Sequence, residues 1–345
     1  MRVLVVNAGS SSLKLAVVEG GSALEAVEVA PGDLAAVDRL ADRRDLGAVG
    51  HRVVHGGPRF VDPVRLDDAV VADLEAVSDL APLHNPPTLA AVAHLRAERP
   101  DLPQVACFDT AFHASMPEAA TTYALPAELN ERFGLRRYGF QGLSHAWAAR
   151  RGAELLGGRR LVTAHLGSGA SLAAVLDGVS VDTTMGFTPS EGLVMATRSG
   201  SVDPGLVLWL EAHGVEGLDD VLNRRSGLLG LAGTADLRQV LAGVDAGDER
   251  CVLAYGVYVH RLATSIGAMA AAMGGIDGLV FTGGAGERSH RLRADACATL
   301  GHLGLAVELE IAPDAVIGPK VAVVAAREDL EIARLTEALV APGVT

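Results

Sequence analysis

Three loops in this chain combine glycine with hydroxyl or cationic side chains, a composition able to hold phosphate oxygens. Asn7-Ala8-Gly9-Ser10-Ser11-Ser12-Leu13-Lys14 offers unobstructed backbone N–H groups, hydroxyls that include Ser10 and Ser12, and the Lys14 ammonium. By itself such a tip is equally an ordinary Ser-rich turn. His165-Leu166-Gly167-Ser168-Gly169 repeats the design. Gly278 to Glu287, GLVFTGGAGE, leads an apolar strand into glycines and a helix-like stretch, which suits a nucleotide lying over a strand end. Arg52 stands in the run Val49 to Pro58. An arginine in a strand pattern is most often on the surface. Here the Gly-Gly-Pro turn ends the strand as a cleft edge would, and a guanidinium there can clamp a carboxylate or phosphate with two prongs. Asp109 follows the apolar run Val105–Phe108, at the carboxyl end of a strand, where open α/β sheets bind ligands. The stretch 182–204 carries Arg198 and has no element able to pack by itself, so it reads as a functional loop.

Elements must position these groups. The first loop lies between Val3-Leu4-Val5-Val6 and Leu13-Lys14-Leu15-Ala16-Val17-Val18, a hairpin of β-branched and apolar runs. Arg160 to Gly178 overlays Arg2 to Gly20 without a gap at an offset of 158, pairing Asn7 with His165, Gly9 with Gly167, Ser10 with Ser168, Ala16 with Ala174 and Gly20 with Gly178. Two matched hairpins and the third loop predict a duplicated α/β fold: two actin-like (ribonuclease H-like) domains with an interdomain ATP cleft. Apolar spacing predicts helices over 33–45, 68–80, 88–99, 204–213, 218–225, 248–273 and 328–340, and one capped by Ser144 that runs to Leu156. Residues 116–135 show no clear period and read as the crossing into the second domain.

The chain has 345 residues, of which 49% are hydrophobic, enough for a core in each of two domains. Its 29 basic and 42 acidic residues leave a net charge of −13, which argues against nucleic-acid or anionic-membrane binding. Cys107, Cys251 and Cys297 are far apart in apolar stretches, as buried free thiols of a reducing compartment would be. The chain enters a strand with no signal-like segment, and the apolar run 252–273 is broken by His260, Arg261 and Ser265. A cytoplasmic protein is expected.

By its motifs the chain resembles acetate kinase and its short-chain carboxylate kinase relatives over nearly its whole length. The resemblance is carried by Asn7 to Lys14, Gly50 to Gly57, Pro82-Leu83-His84-Asn85-Pro86-Pro87, Phe108 to His113, Met185 to Pro189, Thr197 to Gly200 and Glu328 to Arg334. It implies an N-terminal domain on the carboxylate and metal side, residues 1–111 plus 329–345, a C-terminal domain on the nucleotide side, residues 112–328, and a homodimer. It also implies roles. Asn7 and Glu328 would bind Mg²⁺ or Mn²⁺, and Lys14, with Ser10 and Ser12, would sit near the phosphates. From its position alone Glu328, with Asp329, equally serves to complement a helix dipole. Asp109 would be the active-site acid, while Arg52 and Arg198 would hold the carboxylate and the transferring phosphoryl. The nucleotide would lie against His165 to Gly169 (His165, Gly167, Ser168, Gly169), Asp236-Leu237-Arg238, and Gly284 to Arg288 (Gly284, Gly286, Arg288). Val54, Leu83, Phe140 and Pro189 would form the apolar pocket.

The implied activity is reversible phosphorylation of acetate by ATP to an acyl phosphate, with propionate as a further substrate. A carboxylate is already ionised at neutral pH, so such a reaction needs alignment and charge neutralisation more than a base. The chain departs from the family pattern at Gln141, where the family has a His, at Ser168 and Arg288, each in place of an Asn, at Ser201 in place of an acid, and in a shorter segment between the first hairpin and His51. Gln141 and Ser201 also leave room for an alternative: a nucleotide-binding regulator of the same fold with weakened catalysis. A sugar or glycerol kinase fits less well, because a hydroxyl acceptor needs a base and a polar pocket.

Overall fold

A computed structural model describes residues 1–9, 12–82, 84–310 and 313–341. The chain divides into two compact units, one of Met1–Ala114, Phe140–Trp147 and Arg327–Thr345, the other of Ser115–Gly139 and Ala148–Ala326. This differs from the expected division at 111/112 and 328/329 chiefly in assigning 140–147 to the first unit. Local bonds give the reason: Gly142 N donates to Asp109 O at 2.9 Å, His113 Nε2 bonds Phe140 O at 3.0 Å, and Leu143 packs with Val3, Val5, Val105 and Leu330.

The first unit is built on a six-stranded sheet of β1 (Arg2–Ala8), β2 (Leu13–Glu19), β3 (Ser22–Val29), β4 (Ala48–Val53), β5 (Val64–Arg65) and β6 (Gln104–Phe108), in the order β3-β2-β1-β4-β6-β5. Strands β1 to β3 form an antiparallel meander, while β1, β4 and β6 run parallel. The second unit has β7 (Arg160–Leu166), β8 (Ala170–Leu176), β9 (Val179–Thr183), β10 (Gly278–Thr282), β11 (Ala315–Gly318) and β12 (Val321–Val323). Its order, β9-β8-β7-β10-β12-β11, is the first read over again strand for strand.

The duplication is real, but its alignment is not gapless. Ala8 pairs with Leu13 across four loop residues, whereas Leu166 pairs with Ala170 across three, Gly167 to Gly169. Past the loop, Ala16 (opposite Val5) therefore corresponds to Ala173 (opposite Thr163) and not to Ala174. The following turns agree: Gly20 and Gly21 match Asp177 and Gly178, each pair with positive φ as a two-residue hairpin turn demands. Even the bulge recurs, after Val17 in one meander and after Ala174 in the other.

The predicted helices form with small shifts: Leu34–Ala41, Asp68–Ala76, Asn85–Glu98, Pro204–Ala212, Leu218–Arg224, Glu249–Ala272 and Glu328–Val340. The helix expected behind Ser144 begins two residues earlier and spans Gly142–Leu156, so Ser144 is a buried first-turn residue and not its cap. The stretch 116–135 holds two short helices, Glu118–Thr121 and Ala127–Phe133. In the first unit, alternate residues of β1 and β2 divide between two apolar layers. Leu4, Val6, Leu15 and Val17 pack with Val37, Leu40 and Leu95, while Val3, Val5, Ala16 and Val18 pack with Leu330, Ile332 and Ala333. No helix among the described residues is long and apolar enough to cross a membrane.

Candidate active site

Parallel pairing gathers the first unit's chemistry at one sheet end. Val6 pairs with His51 and Arg52 with Cys107, so the carboxyl ends of β1, β4 and β6 bring Asn7, Arg52 and Asp109 side by side. Arg52 Nε and Nη2 donate to Asp109 Oδ2 at 3.0 and 2.5 Å, and Nη1 donates to Asn7 Oδ1 at 3.2 Å. Asn7 Nδ2 in turn donates to Glu328 Oε2 at 2.8 Å, with Glu328 opening the helix Glu328–Val340. Four residues from four elements thus form one chain of polar contacts.

Two carboxylates surround one guanidinium here, so the cluster carries an excess of negative charge. Asp109 is buried, and among the described residues its Oδ1 has no hydrogen-bond partner. Burial pushes the Asp109 carboxyl above the usual carboxylate range, against the opposing pull of Arg52. Arg52 is itself desolvated, but the charges of Asp109 and then Glu328 outweigh that and hold it firmly protonated. The donor set, Asn7 Oδ1, the Glu328 carboxylate and the unpartnered Asp109 Oδ1, is all hard oxygen and suits a hard divalent cation. Such a cation keeps most of its water and needs only one or two carboxylates. Among the described residues no group of three or more His, Cys, Asp or Glu is gathered around a metal-sized space.

Lys14 lies opposite Asn7 on β2, and cross-strand partners share a face, so its exposed ammonium extends from the same side of the sheet. Ser12 Oγ donates to Glu28 at 2.6 Å. Ser10 and Leu83, named above for the phosphates and the pocket, lie outside the described residues. Of the other pocket residues in this unit, Val54 and Phe140 are buried, and the ring of His55, next to Val54, meets the Phe140 ring edge-on at 5.4 Å. Asn85 fixes this strand end by exchanging two hydrogen bonds with the His55 backbone, accepting from N at 3.2 Å and donating to O at 3.0 Å.

Gln141 follows Phe140 with φ +59°, a conformation that costs a non-glycine residue about 1–2 kcal/mol. Its neighbour explains the strain. A Cβ at Gly142 would strike the Asp109 carbonyl, so only glycine lets the two backbones meet, and that contact holds Gln141 in its turn beside Asp109. Neither Gly142 nor Asn85 stands out from sequence, although Asn85 lies in the Pro82–Pro87 block that carries part of the resemblance.

In the second unit, His165, one residue before the end of β7, pairs with Thr282 at the end of β10, and the carboxyl ends of these strands present Gly167-Ser168-Gly169 and the glycines after Thr282 together. Gly283 has φ +77°, and a Cβ there would fall 2.9–3.0 Å from the Leu166 backbone, so its lack of a side chain lets the two loops close. Gly284 is open, Gly286 is buried, and Arg288, at the end of the short helix Gly283–Arg288, is exposed. Asp236 caps Leu237–Asp245 by accepting from Arg238 N, and its carboxylate pairs with the exposed Arg238 guanidinium.

The coil carrying Pro189 and Arg198 joins the second loop through Ala196 N, which donates to Ser168 O at 3.1 Å. Arg198 Nη1 donates to Pro189 O at 3.1 Å and contacts Met195 Sδ at 3.5 Å. Among the described residues no carboxylate pairs with Arg198, and burial is what lowers its pKa. The partners of this partly buried guanidinium among the described residues are thus a carbonyl and a sulfur, which leave its charge uncompensated. Ser201, in place of an acid, accepts from Gly192 N at 3.0 Å and so closes the same coil.

Two units repeating one strand order, each with its glycine-bearing loop at a hairpin of the meander, define the actin-like ATPase fold. Within that class, the chain belongs to the acetokinase family, whose model matches residues 18–337. It is 46% identical over 332 residues to the acetate kinase of Streptomyces griseus subsp. griseus, an alignment covering 91% of this chain and 81% of that protein. Among solved structures it is similar to acetate kinase from Porphyromonas gingivalis, at TM-score 0.88 and 36% identity, and to a propionate kinase from Francisella tularensis subsp. tularensis, at 0.88 and 33%. Each covers 98% of this chain and 99% of its own.

Proposed function

We propose that this chain transfers the terminal phosphoryl group of ATP reversibly to acetate, forming acetyl phosphate, and accepts propionate as well. The observation that carries this reading is the chain of contacts Asp109–Arg52–Asn7–Glu328 at the carboxyl ends of three parallel strands. It supplies a fixed guanidinium for an anionic acceptor and hard oxygens for a cation. Mg²⁺ or Mn²⁺, held by Asn7 and by Glu328 through water, would neutralise phosphate charge when bound. Asp109, buried with one oxygen open, orients that water shell or the substrate and removes no proton, because the acceptor is already ionised.

Arg52 and Arg198 are assigned to the acceptor carboxylate and the moving phosphoryl. The nucleotide is assigned to His165, Gly167, Ser168 and Gly169, to Gly284, Gly286 and Arg288, and to Asp236, Leu237 and Arg238, with Lys14, Ser10 and Ser12 toward the phosphates. Val54, Leu83, Phe140 and Pro189 are assigned to the alkyl group, and Gln141 donates a neutral hydrogen bond to the phosphoryl. Purified protein with acetate, ATP and Mg²⁺ should yield a hydroxamate when acyl phosphate is trapped with hydroxylamine. No trapped product with acetate, propionate or butyrate would overturn the reading.

The reading includes a homodimer in the cytoplasm. Three buried free cysteines suit a reducing compartment. For the dimer, the support is apolar surface on the second unit: Leu208 is 66% and Trp209 55% exposed on a helix that buries none of its residues, and Val252 and Leu253 are exposed on the helix Glu249–Ala272. Leu208→Asp should convert a dimer to a monomer in light scattering coupled to size exclusion. A monomeric parent protein would refute the assignment.

A further inference from the structure

The coil 184–203 has no regular structure, yet it presents Pro189 and Arg198. Buried Met185, Leu193 and Met195 are its apolar anchors, and polar side chains add ties around Met185 and Glu191. Arg137 Nη1 donates to the carbonyls of Thr183, Thr184 and Met185 at 3.3, 3.2 and 3.1 Å, and its Nη2 donates to Glu191 Oε1 at 2.6 Å. The Tyr123 hydroxyl donates to Glu191 Oε2 at 2.6 Å and accepts from Phe187 N at 2.8 Å. Tyr138 N and Gly139 N both donate to Gly186 O, at 3.1 and 3.2 Å. A Cβ at Gly186 would overlap the Glu191 carboxylate and the Tyr123 hydroxyl, so that glycine makes room for the cluster.

Three side chains therefore clamp both ends of the 183–191 segment. Between those ends lies Pro189, whose carbonyl receives the Arg198 guanidinium. We propose that Tyr123, Arg137 and Glu191 are positioning residues that set the direction of the Arg198 guanidinium, and with it the placement of the anion that Arg198 grips. The catalytic half of this inference rests on the function proposed above. The geometric half does not. Burial, and then the bond to Glu191, push the Tyr123 hydroxyl up to about 12, so it remains a donor through the working pH range.

Tyr123→Phe and Glu191→Gln test the inference, since either removes a tie while the apolar anchors stay. Arginine labelling with phenylglyoxal, mapped by mass spectrometry, should show the rate at Arg198 changed several-fold in both variants. The exposed Arg238 serves as an internal standard. In the hydroxamate assay kcat should fall roughly tenfold, with KM for ATP within about twofold, because misplacement by a fraction of an ångström is costly in an aligned transfer. Tyr123→Phe should add nothing to Arg198→Ala. Unchanged labelling of Arg198, or a tenfold loss that multiplies with Arg198→Ala, would overturn the proposal. A parent protein that makes no acyl phosphate would sink the assigned function, and the labelling would still decide the geometric half.

Discussion

Arg52→Ala should lower kcat for acyl phosphate formation by about 10²–10³-fold, the scale for losing one fixed group that stabilises charge. The loss has two parts. The guanidinium disappears from the acceptor's side of the reaction, and the contacts it organises come apart: Asp109 Oδ2 loses both of its donors, and Asn7 loses the bond to Oδ1 that helps hold its Nδ2 toward Glu328. Asp109 is only 1% exposed, and a buried carboxylate stripped of its partner costs about 3–5 kcal/mol. That carboxyl already lies above the usual range and is held down only by Arg52, so the variant should relieve part of the cost by protonating Asp109. Arg52→Lys should also be severe, since one ammonium cannot reach Asp109 twice and Asn7 once. Adding Asp109→Asn to Arg52→Ala separates the two parts: the melting temperature should recover while kcat stays low. A single Arg52→Ala variant keeping more than about a tenth of kcat would remove Arg52 from the chemistry.

How much of this was legible before the structure depends on how local the cause is. The hairpins at β1 and β7 are written in runs of apolar residues around glycine and serine, so the duplication could be read directly. The one-residue difference between their loops could not, because a gapless overlay gains the Ala16 and Ala174 match, and only the strand register shows that Ala173 is the true counterpart. Arg52 and Asp109 were each legible as strand-end candidates. Their pairing was not, since it depends on parallel register between strands 57 residues apart. The turn at Gln141 was hidden for the same reason: the close approach that strains it belongs to Gly142 and Asp109, which are distant in sequence. Helix starts set by side-chain caps, such as Asp33 and Asp248, were read to within a residue or so, whereas the helix at Gly142 begins without regard to Ser144. The Arg137, Glu191 and Tyr123 ties come from three separate segments and leave no periodic trace.

Acidification should unfold the protein before pH 4, and the cause lies in the first unit. His51, His55 and His113 are fully buried, and burial lowers each pKa from 6.5 to about 4, against weaker opposing help from Gln104, Asp79 and the Phe140 carbonyl respectively. In the unfolded chain each ring takes up a proton near pH 6.5, whereas in the folded chain it resists until about pH 4. Between those values the unfolded state binds more protons, so stability is greatest above pH 6.5 and falls as pH drops, by about 1.4 kcal/mol per pH unit for each histidine. Three such groups acting together lower it by about 4 kcal/mol per unit, and domains have only about 5–15 kcal/mol to lose. Urea midpoints measured from pH 8 to pH 4 should hold nearly level down to about 6.5 and then decline steeply. His113→Gln, whose amide can still donate to the Phe140 carbonyl, should make that decline about one third shallower. A midpoint that stays flat between pH 6.5 and pH 4 would mean that these rings take up protons in the folded state, which their burial forbids unless the unit opens.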